Sequence, residues 1–221
     1  MFTIWVWLRV AVSRSPSIGV QRKSGTVVRR DEYLTVTTVL KSYGVDIASL
    51  PERVQAQFEM GADRGTRVHS YLKAYAQGAW APVDGDIEGY CASGARWIDL
   101  NVKKVILVEE RLYDDTWHFS GQPDLVIEHV DGDIVLVDWK SALGLDPLWK
   151  GQIRAYKHLI EKNKDITIDR AGSLRPRADG SNALFNQINL KHTDLEAFLC
   201  ALKATLYFTK GGYNGSNGKS V

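Results

Sequence analysis

Asp124, Asp138 and Lys140 are the residues whose types and spacing point most directly to chemistry. Gly121-Gln122-Pro123-Asp124 and Asp138-Trp139-Lys140 flank Asp131-Gly132, a dipeptide that closes tight hairpins. Two carboxylates on adjacent strands, with a lysine two residues beyond one of them, suit metal-assisted phosphodiester hydrolysis. Hard divalent ions take carboxylate and carbonyl oxygens, and Mg2+ keeps positions open for water and a substrate phosphate. Strand alternation puts Asp138 and Lys140 on one face, so the ammonium reaches a water or phosphate at a metal held by Asp138. Trp139 points the other way, into the core, and leaves its backbone carbonyl free to act as a ligand. The triplet is the only Asp/Glu-x-Lys in the chain and closes the apolar run Ile134-Val135-Leu136-Val137. Ionic groups at the end of a buried strand need partners, because unpaired buried charge is expensive. A plain salt bridge between Asp138 and Lys140 is the competing structural explanation.

The elements that must position these residues are legible from periodicity. A helix is predicted from Leu50-Pro51 to about Gln77, with Ser49 as its cap and a break near Gly61 and Gly65. A second runs from Asp84 to Leu100, with Ile87, Tyr90, Cys91, Ala95 and Ile98 as its apolar stripe. Strands follow at Val105–Tyr113, His118–Val130 and Asp133–Lys140, with Asp114-Asp115 as a turn. Pro147–Lys162 is helical, Ala183–Leu190 is a strand after an irregular Arg- and Gly-containing stretch, and Thr193-x-x-Glu196 is a capping box opening a last helix to Thr209. This order predicts one α/β domain, a mixed central sheet with an antiparallel hairpin flanked by helices. Residues 3–10 read as a short strand, and 211–221, rich in Gly, Asn and Ser, as a disordered tail.

Hairpin register decides whether the site can form. A strict two-residue Asp131-Gly132 loop pairs Asp124 with Trp139 and turns it away from Asp138 and Lys140. Chemistry therefore requires a shift of one, through a three-residue loop Asp131-Gly132-Asp133 or a β-bulge. Asp124 is then expected opposite Lys140, and Val126 opposite Asp138. Gly121 and Pro123, which cannot donate a ladder bond, suit a bend there.

Composition narrows the class. The 221 residues are 44% hydrophobic and 24% charged, ordinary for a globular chain able to bury its own core. Cys91 and Cys200 have no close partner, which excludes a disulfide scaffold and a four-thiolate cluster. No stretch approaches the ~20 apolar residues of a membrane span. The net charge is only +2, but residues 140–177 hold nine Lys and Arg against four Asp and Glu. No acid precedes Asp31, whereas Arg9, Arg14, Arg22, Lys23, Arg29 and Arg30 do. Residues 1–30 thus form a basic N-terminal strand or arm: an organelle transit peptide, a DNA-touching arm, or a solvated strand and loop.

With these residues in view, the chain resembles the PD-(D/E)xK nuclease superfamily, in its RecB-like and phage-exonuclease branch. Pro123-Asp124 and Asp138-Trp139-Lys140 match literally; Gln152-Ile153-Arg154-Ala155-Tyr156 matches the Q-x-x-x-Y helix; Arg64-Gly65-Thr66-Arg67-Val68-His69 looks like the R-G-T-x-x-H helix. Val108-Glu109 resembles a recurring acidic position, for which Glu110 competes. The resemblance implies a restriction-endonuclease-like core over 31–210 and a Mg2+- or Mn2+-dependent DNA exonuclease making 5′-phosphate products. It implies metal ligation by His69, Asp124, Asp138 and the Trp139 carbonyl, with Glu109 supporting. Lys140 would orient or deprotonate the attacking water, and Gln152 and Tyr156 would position Lys140 or the strand. DNA contacts are expected from Arg64, Arg67, Lys150, Arg154 and Lys157. Neither an iron–sulfur cluster nor a nucleotide cofactor is expected, since the cysteines and the phosphate-binding loop are lacking. The implied setting is phage-type recombination, replication or end processing in the cytoplasm, with mitochondria as the minor alternative. The alternatives on the same scaffold are an endonuclease or flap trimmer, or a catalytically silent DNA-binding protein.

Overall fold

The computed structural model describes residues 29–141 and 146–209. The expected strand at 3–10, nearly all of the basic arm and the tail at 211–221 lie outside them. Five strands make the main sheet, in the order β2 (Val102–Val108), β5 (Leu125–His129), β6 (Ile134–Trp139), β7 (Arg170–Arg175) and β8 (Leu184–Gln187). β6 and β7 are parallel and every other neighbour pair is antiparallel, so the sheet is mixed, as predicted. A smaller sheet holds β1 (Leu34–Thr35), β4 (Phe119–Gly121) and β3 (Leu112–Asp114) in that spatial order.

Side-chain alternation along β5 and β6 sorts the core into two layers. Leu125, Ile127, Val135, Val137 and Trp139 pack against Val68 and Leu72 of α2 (Glu52–Ala76) and Cys91 and Ile98 of α3 (Glu88–Asn101). Val126, Leu136 and Ala171 face Ile153, Tyr156 and Leu159 of α4 (Leu148–Lys164) and Phe198 of α5 (His192–Thr209). Each such buried side chain contributes about 1.5–3 kcal/mol relative to leaving it in water. Helices thus cover both faces, and a six-residue helix, α1 (Val36–Lys41), capped by Thr35, packs on α4. Among the described residues no helix is long and apolar enough to cross a membrane.

The two long predicted strands are each divided. Val105–Tyr113 breaks after Val108, where Glu109 adopts a left-handed backbone (φ 43°). His118–Val130 breaks at Gln122-Pro123-Asp124, between β4 and β5. Because β2 pairs with β5 and β3 with β4, both chains leave one sheet for the other at the same level. Glu109, Arg111, Gln122 and Asp124 all lie at this double crossing.

Other boundaries also move. α2 runs unbroken through Gly61 and Gly65, since a helical glycine costs only about 1 kcal/mol and packing supplies more. Ser49 does not cap it; Pro51 holds that position, and the Ser49 hydroxyl donates to the Asp46 carbonyl. α3 starts four residues later than predicted, after a turn at 85–87. In α5 the carboxylate that reaches back is Asp194, accepting from Lys191 N at 2.6 Å, in place of the expected Thr193–Glu196 box. The stretch taken as irregular contains β7, a central strand. Gly172 allows it: a Cβ there would lie 2.3 Å from the Asn186 carbonyl oxygen on β8.

Candidate active site

The hairpin closes through three residues, Val130-Asp131-Gly132. His129 N donates to Asp133 O (2.9 Å), and Gly132 takes φ 101°, which favours glycine. The loop is one residue earlier than expected. Leu125 therefore pairs with Val137 and Val126 with Leu136, so the next pair outward is Asp124 opposite Asp138. The expected register, with Asp124 opposite Lys140 and Val126 opposite Asp138, is wrong by two residues. Its required parity nevertheless holds, and both carboxylates open into one cavity of about 290 Å3.

Lys140, His69, Gln152 and Tyr156 line the same cavity, brought there by β6, α2 and α4. Lys140 Nζ lies 2.6 Å from Asp138 Oδ2 and donates to Gln152 Oε1 at 3.2 Å; Gln152 Nε2 then donates to the Tyr156 hydroxyl at 3.2 Å. Four-residue spacing on α4 puts Gln152 and Tyr156 on one face, as predicted. Gly121 on β4 leaves room for that face, since a Cβ there would come within 2.9 Å of the Tyr156 ring. Trp139 is fully buried in the opposite layer, and its backbone N–H donates to Asp124 Oδ2 at 2.8 Å.

Electrostatics follow from burial. Loss of solvent pushes the Asp124 carboxyl up to about 6; His69 and Lys140 oppose the rise and Asp138 adds to it. Burial disfavours the Lys140 ammonium, but attraction to Asp138 and Asp124 outweighs it and holds its pKa above the ordinary lysine value. Burial also raises the Tyr156 hydroxyl, against the bond from Gln152.

The His69, Glu109 and Asp124 side chains each offer a donor atom within 4.8 Å of the others. His69 Nδ1 is 3.7 Å from Asp124 Oδ1. One imidazole nitrogen and two carboxylate oxygens suit a divalent ion of the Mg2+ or Mn2+ type. Glu109 thus lies beside His69 and Asp124 as a candidate donor rather than behind them. Its left-handed backbone aims the carboxylate inward, where Lys73 holds Oε2 at 2.8 Å, while Glu110 turns outward to Lys164 at 2.6 Å. Asp138 lies outside this group, engaged by Lys140.

None of Arg64, Arg67, Lys150, Arg154 and Lys157 lines the cavity. Arg67 is held by Asp63, Asp84 and Asp86; Lys150 is 3.3 Å from Asp194; Arg64 lies over the Tyr90 ring. Lys157 binds Glu161 and the Ile168 carbonyl beside a second, smaller cavity, and one Arg154 nitrogen is buried without a partner. The cavity instead gains Arg111, Gln122, Thr35 and Thr37, none of which the sequence singled out as site residues. Gln122 lies inside the Gly-Gln-Pro-Asp run, and Arg111 becomes its neighbour only once the register of β3 and β4 is known.

No protein-family model matches the chain, and no curated relative matches it in sequence. A crystal structure of a candidate exonuclease from Eubacterium rectale superposes with TM-score 0.51 at 13% identity, covering 90% of this chain and 89% of that one. LHK-Exo in complex with dAMP aligns at TM-score 0.38 and 14% identity over 83% of this chain and 94% of its own, too loosely to carry an argument. The chain therefore shares the fold of the first of these structures, a mixed α/β core with helices on both faces of its main sheet.

Proposed function

We propose that this chain is a divalent-metal-dependent deoxyribonuclease of the PD-(D/E)xK superfamily, in its RecB-like and phage-exonuclease branch. It hydrolyses DNA from strand ends to 5′-phosphate products, in recombination, replication or end processing. The observation that carries this reading is the meeting of Asp124 and Asp138, from paired strands, with Lys140 and His69 in one cavity.

His69, Glu109, Asp124 and Asp138 would hold Mg2+ or Mn2+, with the Trp139 carbonyl as a further donor. Bound there, the ion supplies Lewis-acid stabilisation of the phosphate and a more acidic water. Asp124, with its carboxyl near 6, is mostly ionised at neutral pH and available to a cation. Lys140 remains an ammonium and donates to the attacking water or to a phosphate oxygen, rather than serving as base. Gln152 and Tyr156 keep that ammonium aimed. The water oxygen bonds to phosphorus, the bond to the 3′ oxygen breaks, and that oxygen takes up a proton.

End-labelled linear DNA, single- and double-stranded, tests the reading beside closed circles of the same sequence. Degradation of linear DNA in Mg2+ or Mn2+, none in EDTA, and survival of closed circles are expected. Cleavage that persists in EDTA, or no cleavage in either metal, would overturn it; rapid cutting of closed circles would make the enzyme an endonuclease.

A further inference from the structure

We propose that Arg111 is the anchor for a phosphate group of the substrate strand, and that Gln122 holds it in place. The inference rests on the nuclease reading and names a substrate contact of the same cavity.

Among the described residues three basic side chains line this cavity: His69, Arg111 and Lys140. His69 is 3.7 Å from Asp124, and Lys140 is 2.6 Å from Asp138. Arg111 has no carboxylate within ion-pair distance among the described residues. Its bond goes to a neutral group, from Nη2 to Gln122 Oε1 at 3.1 Å. The acids nearest in sequence are taken, Glu109 by Lys73 and Glu110 by Lys164. A guanidinium without an ion-pair partner among the described residues thus lines the cavity that the nuclease reading assigns to phosphate chemistry.

The placement is structural rather than incidental. Leu112 pairs with Gly121, so Arg111 and Gln122 form the next cross-strand pair where the chains leave the small sheet. The Gln122 amide accepts from Arg111 at one end and donates to Glu109 Oε2 at 3.5 Å at the other. One side chain therefore connects the anion anchor to a carboxylate in reach of the metal position. A planar guanidinium with N–H groups to spare takes two phosphate oxygens at once, which a lysine cannot reproduce. An anion on Arg111 shares the cavity with Lys140 and Gln152, which makes it a terminal phosphate or a backbone phosphodiester beside the one cleaved.

The test is anisotropy of oligonucleotides labelled on an internal base, with the full chain in EDTA, where binding is read without cleavage. Arg111→Met is expected to weaken binding about tenfold and to flatten the dependence of log K on log salt by about 0.7–0.9, the signature of one lost phosphate contact. Arg111→Lys should restore the salt slope but only part of the affinity. Comparing 5′-phosphorylated, 5′-hydroxyl and circular strands separates the two phosphate sources. A loss confined to phosphorylated ends identifies a terminal phosphate, and an equal loss on all three a backbone one. Unchanged affinity and salt slope in Arg111→Met, with DNA binding by the unsubstituted chain intact, would overturn the anchor alone. No DNA binding by the unsubstituted chain in EDTA, and none when Ca2+ replaces EDTA, would overturn the nuclease reading as well.

Discussion

Trp139 donates its backbone N–H to the Asp124 carboxylate across 2.8 Å, so the strand that carries Asp138 also orients the acid facing it. One Asp124 oxygen is occupied by this bond while Oδ1 points toward His69. The arrangement fixes a buried acid whose charge lacks full solvation, and its titration can be tested.

Asp124 binds its proton more tightly folded than unfolded, since its carboxyl sits near 6 against an ordinary 3.8. Between those values the folded protein retains a proton that the unfolded chain has released. Metal-free stability should therefore fall as pH rises from about 4 to 6. Asp124→Asn should raise the metal-free melting temperature at pH 7 and abolish cleavage. Melting curves in EDTA across this range check both signs; a melting temperature lowered by Asn would contradict the burial argument.

Lys140 and Asp138 form a buried pair, with Asp138 Oδ1 otherwise unbonded. Removing the lysine leaves an uncompensated carboxylate, at a cost of about 3–5 kcal/mol. Lys140→Met should melt earlier in EDTA, recover part of that loss on adding Mn2+, and still cleave far more slowly. Equal melting shifts with Mn2+ in variant and parent would show that the ion does not compensate the Asp138 carboxylate.

Glu109 and His69 should behave as ligands. Glu109→Gln and His69→Ala are each expected to weaken Mn2+ binding tenfold or more, measured by calorimetry on the protein alone. Lower stability with unchanged metal affinity would reduce either residue to a packing role.

Asp114 is another buried acid, remote from the proposed chemistry. It accepts from His158 (2.6 Å), Lys162 (2.7 Å) and the Thr116 and Trp117 N–H groups, tying β3 to α4. Burial raises its pKa, but these bonds outweigh burial and hold it well below the usual carboxylate range. Its contribution is present above about pH 4 and lost as pH falls toward the folded value. Asp114→Ala should cost about 1–3 kcal/mol at pH 7. The deficit should shrink in acid, and denaturant titrations at pH 7 and pH 3 measure it.

The sequence by itself singled out Asp124, Asp138 and Lys140, and strand alternation put Asp138 and Lys140 on one face. His69, Gln152 and Tyr156 were legible through the family resemblance, and four-residue spacing then put Gln152 and Tyr156 on one helical face. Leu125, Val126, Ile127 and the run from Ile134 to Val137 are apolar on both faces, because helices cover both sides of the sheet, so alternation of apolar and polar residues does not fix the hairpin register. Only the closing of the hairpin at Val130-Asp131-Gly132 chose between Asp138 and Lys140 as the partner of Asp124. The tertiary structure also decided which charges were left over. Arg67, Lys150 and Lys157 were expected to meet DNA, yet carboxylates distant in sequence or one helical turn away engage them. Arg111 has no such partner among the described residues and reaches the cavity because the strands cross between sheets beside it. Ion pairing depends on distances between elements, which periodicity along the chain does not encode.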